Sequence, residues 1–152
     1  LNVKASAVHG STSLTPDNQL LPPLAGDSAA AHAQVDSTKI SSLLVGIELG
    51  VITSDAAVTC VAGPGGLQPQ FSGSSNIANL KINGLPITVG SAPLTIPLVI
   101  GSLKLNSKVI SGNTITQRAV VLDTILTDVV IAESKANFEG KPASPGGNPC
   151  QV

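Results

Sequence analysis

The dipeptide Asn83-Gly84 stands between two short aliphatic runs, and this leaves the local chain few choices. A two-residue hairpin turn of type I′ needs positive φ at both central positions, which Asn and Gly accept most readily. Closing the chain there sets Ile82 opposite Leu85, Leu80 opposite Ile87 and Ala78 opposite Val89, all on one face. Turn chemistry and hydrophobic pattern therefore agree on a register. Pro86 must then sit where no N–H is needed, at a sheet edge or a bulge. A second hairpin is predicted at Gly112-Asn113, with Val109 opposite Thr116, Leu105 opposite Val120 and Leu103 opposite Leu122. Lys104, Asn106 and Lys108 take its other face, which gives one side to a core and one to water.

The rest of the chain continues in this manner. Leu1 to Gly10 alternates imperfectly as a strand, with Leu1, Val3, Ala5 and Ala7 on one side and Asn2, Lys4, Ser6 and Val8 on the other. Ser11 to Ser28 carries Pro16, Pro22, Pro23 and Gly26, with a turn signal at Pro16-Asp-Asn18, and reads as a long linker. Ala30 to Val35 reads as a strand. Ile40 to Leu49 fits a short helix or a strand, with Gly46 and Gly50 opposing a long helix. Val51 to Val61 is a strand ending near Cys60, closed by Gly63-Pro64-Gly65-Gly66, and a last strand runs from Val129 to Phe138. Only Phe71 and Phe138 are aromatic, and Met, Trp and Tyr are absent, so the core must be made of Val, Ile, Leu and Ala. Such β-branched residues suit a pleated, half-buried surface. About eight or nine short strands with no alternating helices indicate an all-β fold, an antiparallel β-sandwich or jelly roll. The expected division is an N-terminal strand and linker (1–28), a sandwich body (29–140) and a Pro/Gly-rich tail (141–152). No repeat of fixed period is present.

Cys60 and Cys150 are either two buried thiols or a disulfide. The disulfide is the preferred reading, because it would pin the Gly/Pro-rich end to the body. Closing a loop of about 90 residues would stabilise by about 4–5 kcal/mol if chain entropy governs. The chain opens at Leu1 without an initiator Met, as a mature exported protein would after loss of a signal peptide. No apolar run reaches the roughly 18 residues of a membrane span.

Charged residues are 11% of the chain and the formal net charge is −1. Nothing in that balance draws the chain to nucleic acid or an anionic membrane. It does favour association with other copies. Carbohydrate sites rest on aromatic platforms, which a chain without Trp or Tyr cannot readily build. The acids stand singly, which argues against paired carboxylates for glycoside hydrolysis. His9 and His32 stand without neighbours at metal-ligand spacing. No Gly-x-Ser-x-Gly elbow is present, and Gly63 to Gly66 lacks the Lys and helix of a phosphate loop. Asp123 and Asp128 flank one connection that calcium could bridge, but there is no Asp-x-Asp-x-Asp-Gly run. No enzyme activity, small-molecule substrate or cofactor is expected.

The segments Gly50-Val-Ile-Thr-Ser-Asp-Ala-Ala-Val-Thr-Cys60, Phe71-Ser-Gly-Ser-Ser-Asn-Ile-Ala-Asn-Leu80, Ile115-Thr-Gln-Arg-Ala-Val-Val-Leu122 and Asp128-Val-Val-Ile-Ala-Glu-Ser-Lys135 carry a resemblance. With the Asn79 to Ile87 hairpin, the chain resembles the "choice-of-anchor P" type of secreted bacterial proteins over roughly residues 29–140. The resemblance implies export, a β-sandwich and a cell-surface setting, and it transfers no catalytic residue.

Two readings of the N-terminus stay open. Leu1 to Gly10 can pair as an edge strand within its own domain, or Leu1, Val3, Ala5 and Ala7 can enter a neighbour's sheet by donor-strand complementation. The preferred expectation is a secreted structural protomer that polymerises head-to-tail with itself in an extracellular fibre or surface layer. The alternative is a monomeric cell-surface adhesive or ligand-binding module.

Overall fold

The structure, a computed structural model, describes residues 1–15, 24–137 and 150. Thirteen strands follow one another with no helix among the described residues. They are β1 (Asn2–Ala5), β2 (Val8–Thr15), β3 (Ser28–Val35), β4 (Thr38–Ser41), β5 (Gly46–Leu49), β6 (Ile52–Gly63) and β7 (Gly66–Ile77). Then come β8 (Lys81–Ile82), β9 (Leu85–Pro86), β10 (Leu94–Leu98), β11 (Gly101–Ser111), β12 (Thr114–Thr124) and β13 (Asp128–Asn137). The Pro16 to Asn18 turn, Phe138 and the 141–152 tail other than Cys150 lie outside the described residues.

Hydrogen bonding divides the strands into three antiparallel sheets, ordered β1-β4-β5-β8-β9, β2-β3-β6-β7 and β10-β11-β12-β13. The first two are halves of one long front sheet. Val3↔Ile40 and Val8↔Val35 belong to a single register, as do Ile40↔Ile47 with Val35↔Ile52, and Ile47↔Ile82 with Ile52↔Ile77. No residue is gained or lost between the halves. Single bonds bridge the break: Ser6 N–H to Ser37 O (3.0 Å), Asp36 N–H to Ala7 O (3.0 Å) and Ala78 N–H to Val51 O (3.0 Å). The inward face changes parity at that line, from Ile47 and Leu49 to Ile52, Ser54, Ala56, Val58 and Cys60. Since strand side chains alternate with period two, the pleat inverts there.

The back sheet, β10 to β13, inverts too. On β12 the buried residues run Ile115, Gln117, Ala119 and then Val120, Leu122. By register Ala119 lies between Asn106 of β11 and Ala132 of β13, and these two adopt φ of 56° and 59°. Left-handed backbone suits Asn better than most residues. The buried Asn106 side chain also donates from Nδ2 to the carbonyls of Gly90 (2.6 Å) and Ala92 (3.4 Å), fastening the 90–92 segment. Asn106→Ala is expected to cost about 2–3 kcal/mol, from lost buried bonds and left-handed strain. Asn106→Gly should recover the strain but not the bonds, and urea denaturation of the two variants checks the order.

The inversion separates two cores. The larger gathers Ile40, Ile47, Leu49, Leu80, Leu103, Leu105 and Leu122 at one end. The smaller gathers Ala29, Ala56, Val58, Ile115, Ala136 and both cysteines, with Leu67 and Phe71 against it. Buried polar groups lie between them: Ser54 Oγ donates to Gln117 O (2.8 Å), Ser134 Oγ to Ser54 O (2.6 Å), and Gln117 Nε2 to Ser75 Oγ (2.7 Å). These bonds tie the front sheet to the back, so the β-sandwich is joined by a polar layer as well as by aliphatic packing.

Both predicted hairpins form with their expected pairs at the turn, Ile82↔Leu85 and Val109↔Thr116, Leu105↔Val120 and Leu103↔Leu122. Ile87 N–H reaches Leu80 O at 2.9 Å, but Ala78 bonds to Gly50 and Val51 instead of lying opposite Val89. Residues 40–49, readable as helix or strand, form strands around a turn at Ser42–Val45. Two corrections concern the N-terminus. Leu1 to Gly10 is not one strand but breaks at Ser6-Ala7. The expected linker begins as strand, because Ser11 to Thr15 continue β2. In the single chain the segment takes the within-domain pairing, one of the two readings left open: β1 pairs with β4 and β2 with β3.

Candidate assembly edge and polar sheet face

β1 and β2 form one edge of the front sheet, and the side chains of residues 1–14 are all exposed. None of them belongs to either core. Val3 lies opposite buried Ile40 and Ala5 opposite buried Thr38, so Val3 and Ala5 share the inner side of the front sheet. Ala7 does not continue this face. The pleat inverts at Ser6-Ala7, and Val8, Gly10, Thr12 and Leu14 take the inner side, opposite Val35, Ala33, Ala31 and Ala29. The back sheet ends at β13, which packs on β3 and β6. The inner side of the N-terminal edge therefore overhangs it, leaving Leu1, Val3, Val8 and Leu14 uncovered.

Open sheet edges invite pairing with other chains, and proteins blunt them with proline or charge. The other edges here follow that rule. β7 carries Pro69, β9 Pro86 and β10 Pro97, while β13 carries Asp128, Glu133 and Lys135 and β1 carries Lys4. On β13 the Arg118 Nε–Glu133 Oε2 contact of 2.6 Å holds the Glu133 carboxyl below the usual carboxylate range, against partial burial. Lys135 lies 3.6 Å away on its other side and acts in the same direction. β2 is eight residues long (Val8–Thr15) and has neither proline nor a charged Asp, Glu, Lys or Arg.

The outer face of the front sheet holds the chain's histidines, and neither stands alone as the sequence suggested. His32 Nδ1 lies 2.6 Å from Asp55 Oδ1, and His9 Nε2 lies 3.7 Å from Asp36 Oδ2. Register brings Ser11, His32, Asp55 and Ser74 into one row across four strands. The row crosses a shallow depression of about 440 Å³ lined by Ser13, Ala30, Ala57 and Ser72. A Ser-His-Asp triad needs the serine bonded to the imidazole and N–H donors aimed at a developing oxyanion. Among the described residues no side-chain hydrogen bond joins the Ser11 hydroxyl to the His32 ring, and the backbone N–H groups of β3 and β6 run along the sheet to neighbouring strands. Half of the constellation is present. The pairing was not legible from sequence because it joins residues 23 positions apart through a register that neither histidine signals.

Asp123 and Asp128 lie opposite each other across β12–β13, and Lys104 Nζ contacts Asp123 at 3.2 Å. Among the described residues no cluster of three or more His, Cys, Asp or Glu side chains could hold a metal ion. Among the described residues no helix is long and apolar enough to cross a membrane. Cys60 and Cys150 form the expected disulfide. No family model matches the chain, and no curated protein or solved structure matches it significantly.

Proposed function

We propose that the protein is a structural protomer that assembles with copies of itself through its N-terminal strands, in an extracellular or cell-surface setting. In this reading residues 1–15 of one copy leave their own sheet and complete the front sheet of the next, repeating head-to-tail. The carrying observation is the character of β1–β2, an edge that lends nothing to either core and whose longer part is unguarded. Departure of such a strand costs ladder bonds alone, and an identical strand from a neighbour restores them. The disulfide and the resemblance to secreted surface proteins support the setting.

The alternative is a monomeric display module that uses the polar depression around His32 and Asp55, and the following experiment separates the two readings. Electron microscopy of the full chain is expected to show filaments, and deletion of residues 1–15 to abolish them. A full chain that never polymerises, or a deletion variant that polymerises normally, would overturn the proposal.

A further inference from the structure

Tight hairpin turns ordinarily carry Asn, Asp and Gly. The turns at one end of this sandwich follow that rule: Pro64-Gly65 joins β6 to β7 and Gly112-Asn113 joins β11 to β12. At the other end Asn83-Gly84 complies, but three hairpins place pairs of aliphatic residues at their tips. These are Leu43-Leu44 between β4 and β5, Val99-Ile100 between β10 and β11, and Ile125-Leu126 between β12 and β13.

Two of the tips are built alike, with a hydroxyl doing the work that glycine would otherwise do. Ser42 N–H donates to Val45 O (2.9 Å), and Ser42 Oγ accepts from the N–H of Leu44 (3.3 Å) and Val45 (3.1 Å). Thr124 N–H donates to Thr127 O (3.0 Å), and Thr124 Oγ1 accepts from Thr127 N–H (3.0 Å). The backbone is thus held while the aliphatic pair projects outward. Leu43 is 104% exposed, Ile125 96%, Leu126 94%, Val99 80% and Leu44 62%. Leu1, Ser42, Ile100, Ile125 and Leu126 surround one concavity of about 530 Å³.

We propose that this end docks against the same end of a second copy of this chain, in a twofold, tip-to-tip contact. The aliphatic tips lie outside β1 and β2, so the contact does not depend on strand exchange. Three observations favour a second copy. The first is size. Full burial of an aliphatic side chain corresponds to roughly 60–120 Å² at 25 cal/mol per Å². The five exposed tip residues, without half-buried Ile100, then offer roughly 300–600 Å², the apolar centre of an interface that buries about 800 Å² per partner once a polar rim is added.

The second is that the described hairpin tips of the opposite end, Pro64-Gly65 and Gly112-Asn113, carry no aliphatic pair, and the exposed Leu24, Val109 and Ile110 there are not hairpin tips, so the apolar tips find their match in their own kind. The third is charge. Lys39 and Lys81 flank Glu48 on the front sheet near this end, leaving it net positive, while Asp123 and Asp128 outnumber Lys104 on the back sheet at the root of the Ile125-Leu126 tip. A twofold axis parallel to the sheets sets front over back, bringing lysines toward the partner's aspartates. A rim of mixed sign offers an anionic lipid surface no net attraction.

Sedimentation velocity over a concentration series tests this. The full chain left in solution after any filaments are pelleted is expected to show a monomer–dimer equilibrium, which is read separately from strand exchange. Leu43→Ser, Ile125→Ser and Leu126→Ser combined should weaken it at least about tenfold with an unchanged melting temperature, since all three side chains are solvated in the monomer. Val109→Ser with Ile110→Ser, exposed aliphatics at the other end of β11, should leave it unchanged. A full chain that is monomeric through roughly 0.5 mM would overturn the proposal, as would a triple variant that still dimerises. So would phosphatidylcholine vesicles that bind the full chain but not the triple variant.

Discussion

A chain carrying Gly101→Ala is expected to lose about 3–5 kcal/mol of stability and to melt roughly 10–15 °C lower, the largest effect of any single methyl group added to this fold. Gly101 opens β11 with φ of 151°, a conformation open in practice to glycine alone. A Cβ there would overlap the carbonyl oxygen of Asp123 and come within 3.0 Å of the Asp123 carbonyl carbon and the Thr124 Cα. All three are backbone atoms of the paired strand β12, so no flexible side chain can swing aside. Separation of β11 from β12 at this point also moves the Val99-Ile100 tip. Gly90→Ala is the matched control, with ordinary φ and nothing within 4 Å of the added carbon. Equal melting temperatures for the two variants would show that the close approach of β11 to β12 is not maintained in solution.

What could be read from the sequence, and what could not, divides along a physical line. Asn83-Gly84 and Gly112-Asn113 announced their hairpins because mirror-image turns need positive φ, and φ is 51° at Asn83, 79° at Gly84 and 58° at Gly112. The apolar tips gave no such signal. Ser42 and Thr124 close their turns with side-chain hydroxyls, and serine and threonine are too common to mark Ser-Leu-Leu-Val or Thr-Ile-Leu-Thr as tight apolar turns. The pleat inversion was equally hidden. It shifts the buried parity without adding a residue, so Leu1, Val3, Ala5 and Ala7 looked like one face while Val8 carries it on. Ser11 to Thr15 looked like linker because edge strands open to water on both faces need no apolar alternation. The His32–Asp55 contact and the buried Ser54–Gln117–Ser134 bonds depend on which strands become neighbours, and that order is set by the whole fold.

The second large effect is expected from the disulfide. Cys60→Ala with Cys150→Ala should cost about 4–5 kcal/mol, since the two cysteines are 90 residues apart and the bridge restricts a long loop in the unfolded chain. The melting temperature should fall by roughly 10–15 °C. The reason the bridge matters here is the make-up of the core it joins. Both cysteines are buried in the smaller cluster, beside Ala29, Ala56 and Ala136, where three of the neighbours offer a single methyl each. Alanines supply little burial, and the larger aliphatic side chains are concentrated at the other end, beyond the Ser54–Gln117–Ser134 layer. The loss should therefore be uneven. Hydrogen exchange in the double-alanine variant is expected to quicken first at Leu67 to Phe71 and Thr114 to Gln117, while Val120 to Leu122 stay protected until global unfolding. Uniform quickening across both ends would mean that the polar layer does not divide the sandwich into separately stabilised halves. An unchanged melting temperature would mean instead that packing of the alanine-rich end suffices without its covalent bridge.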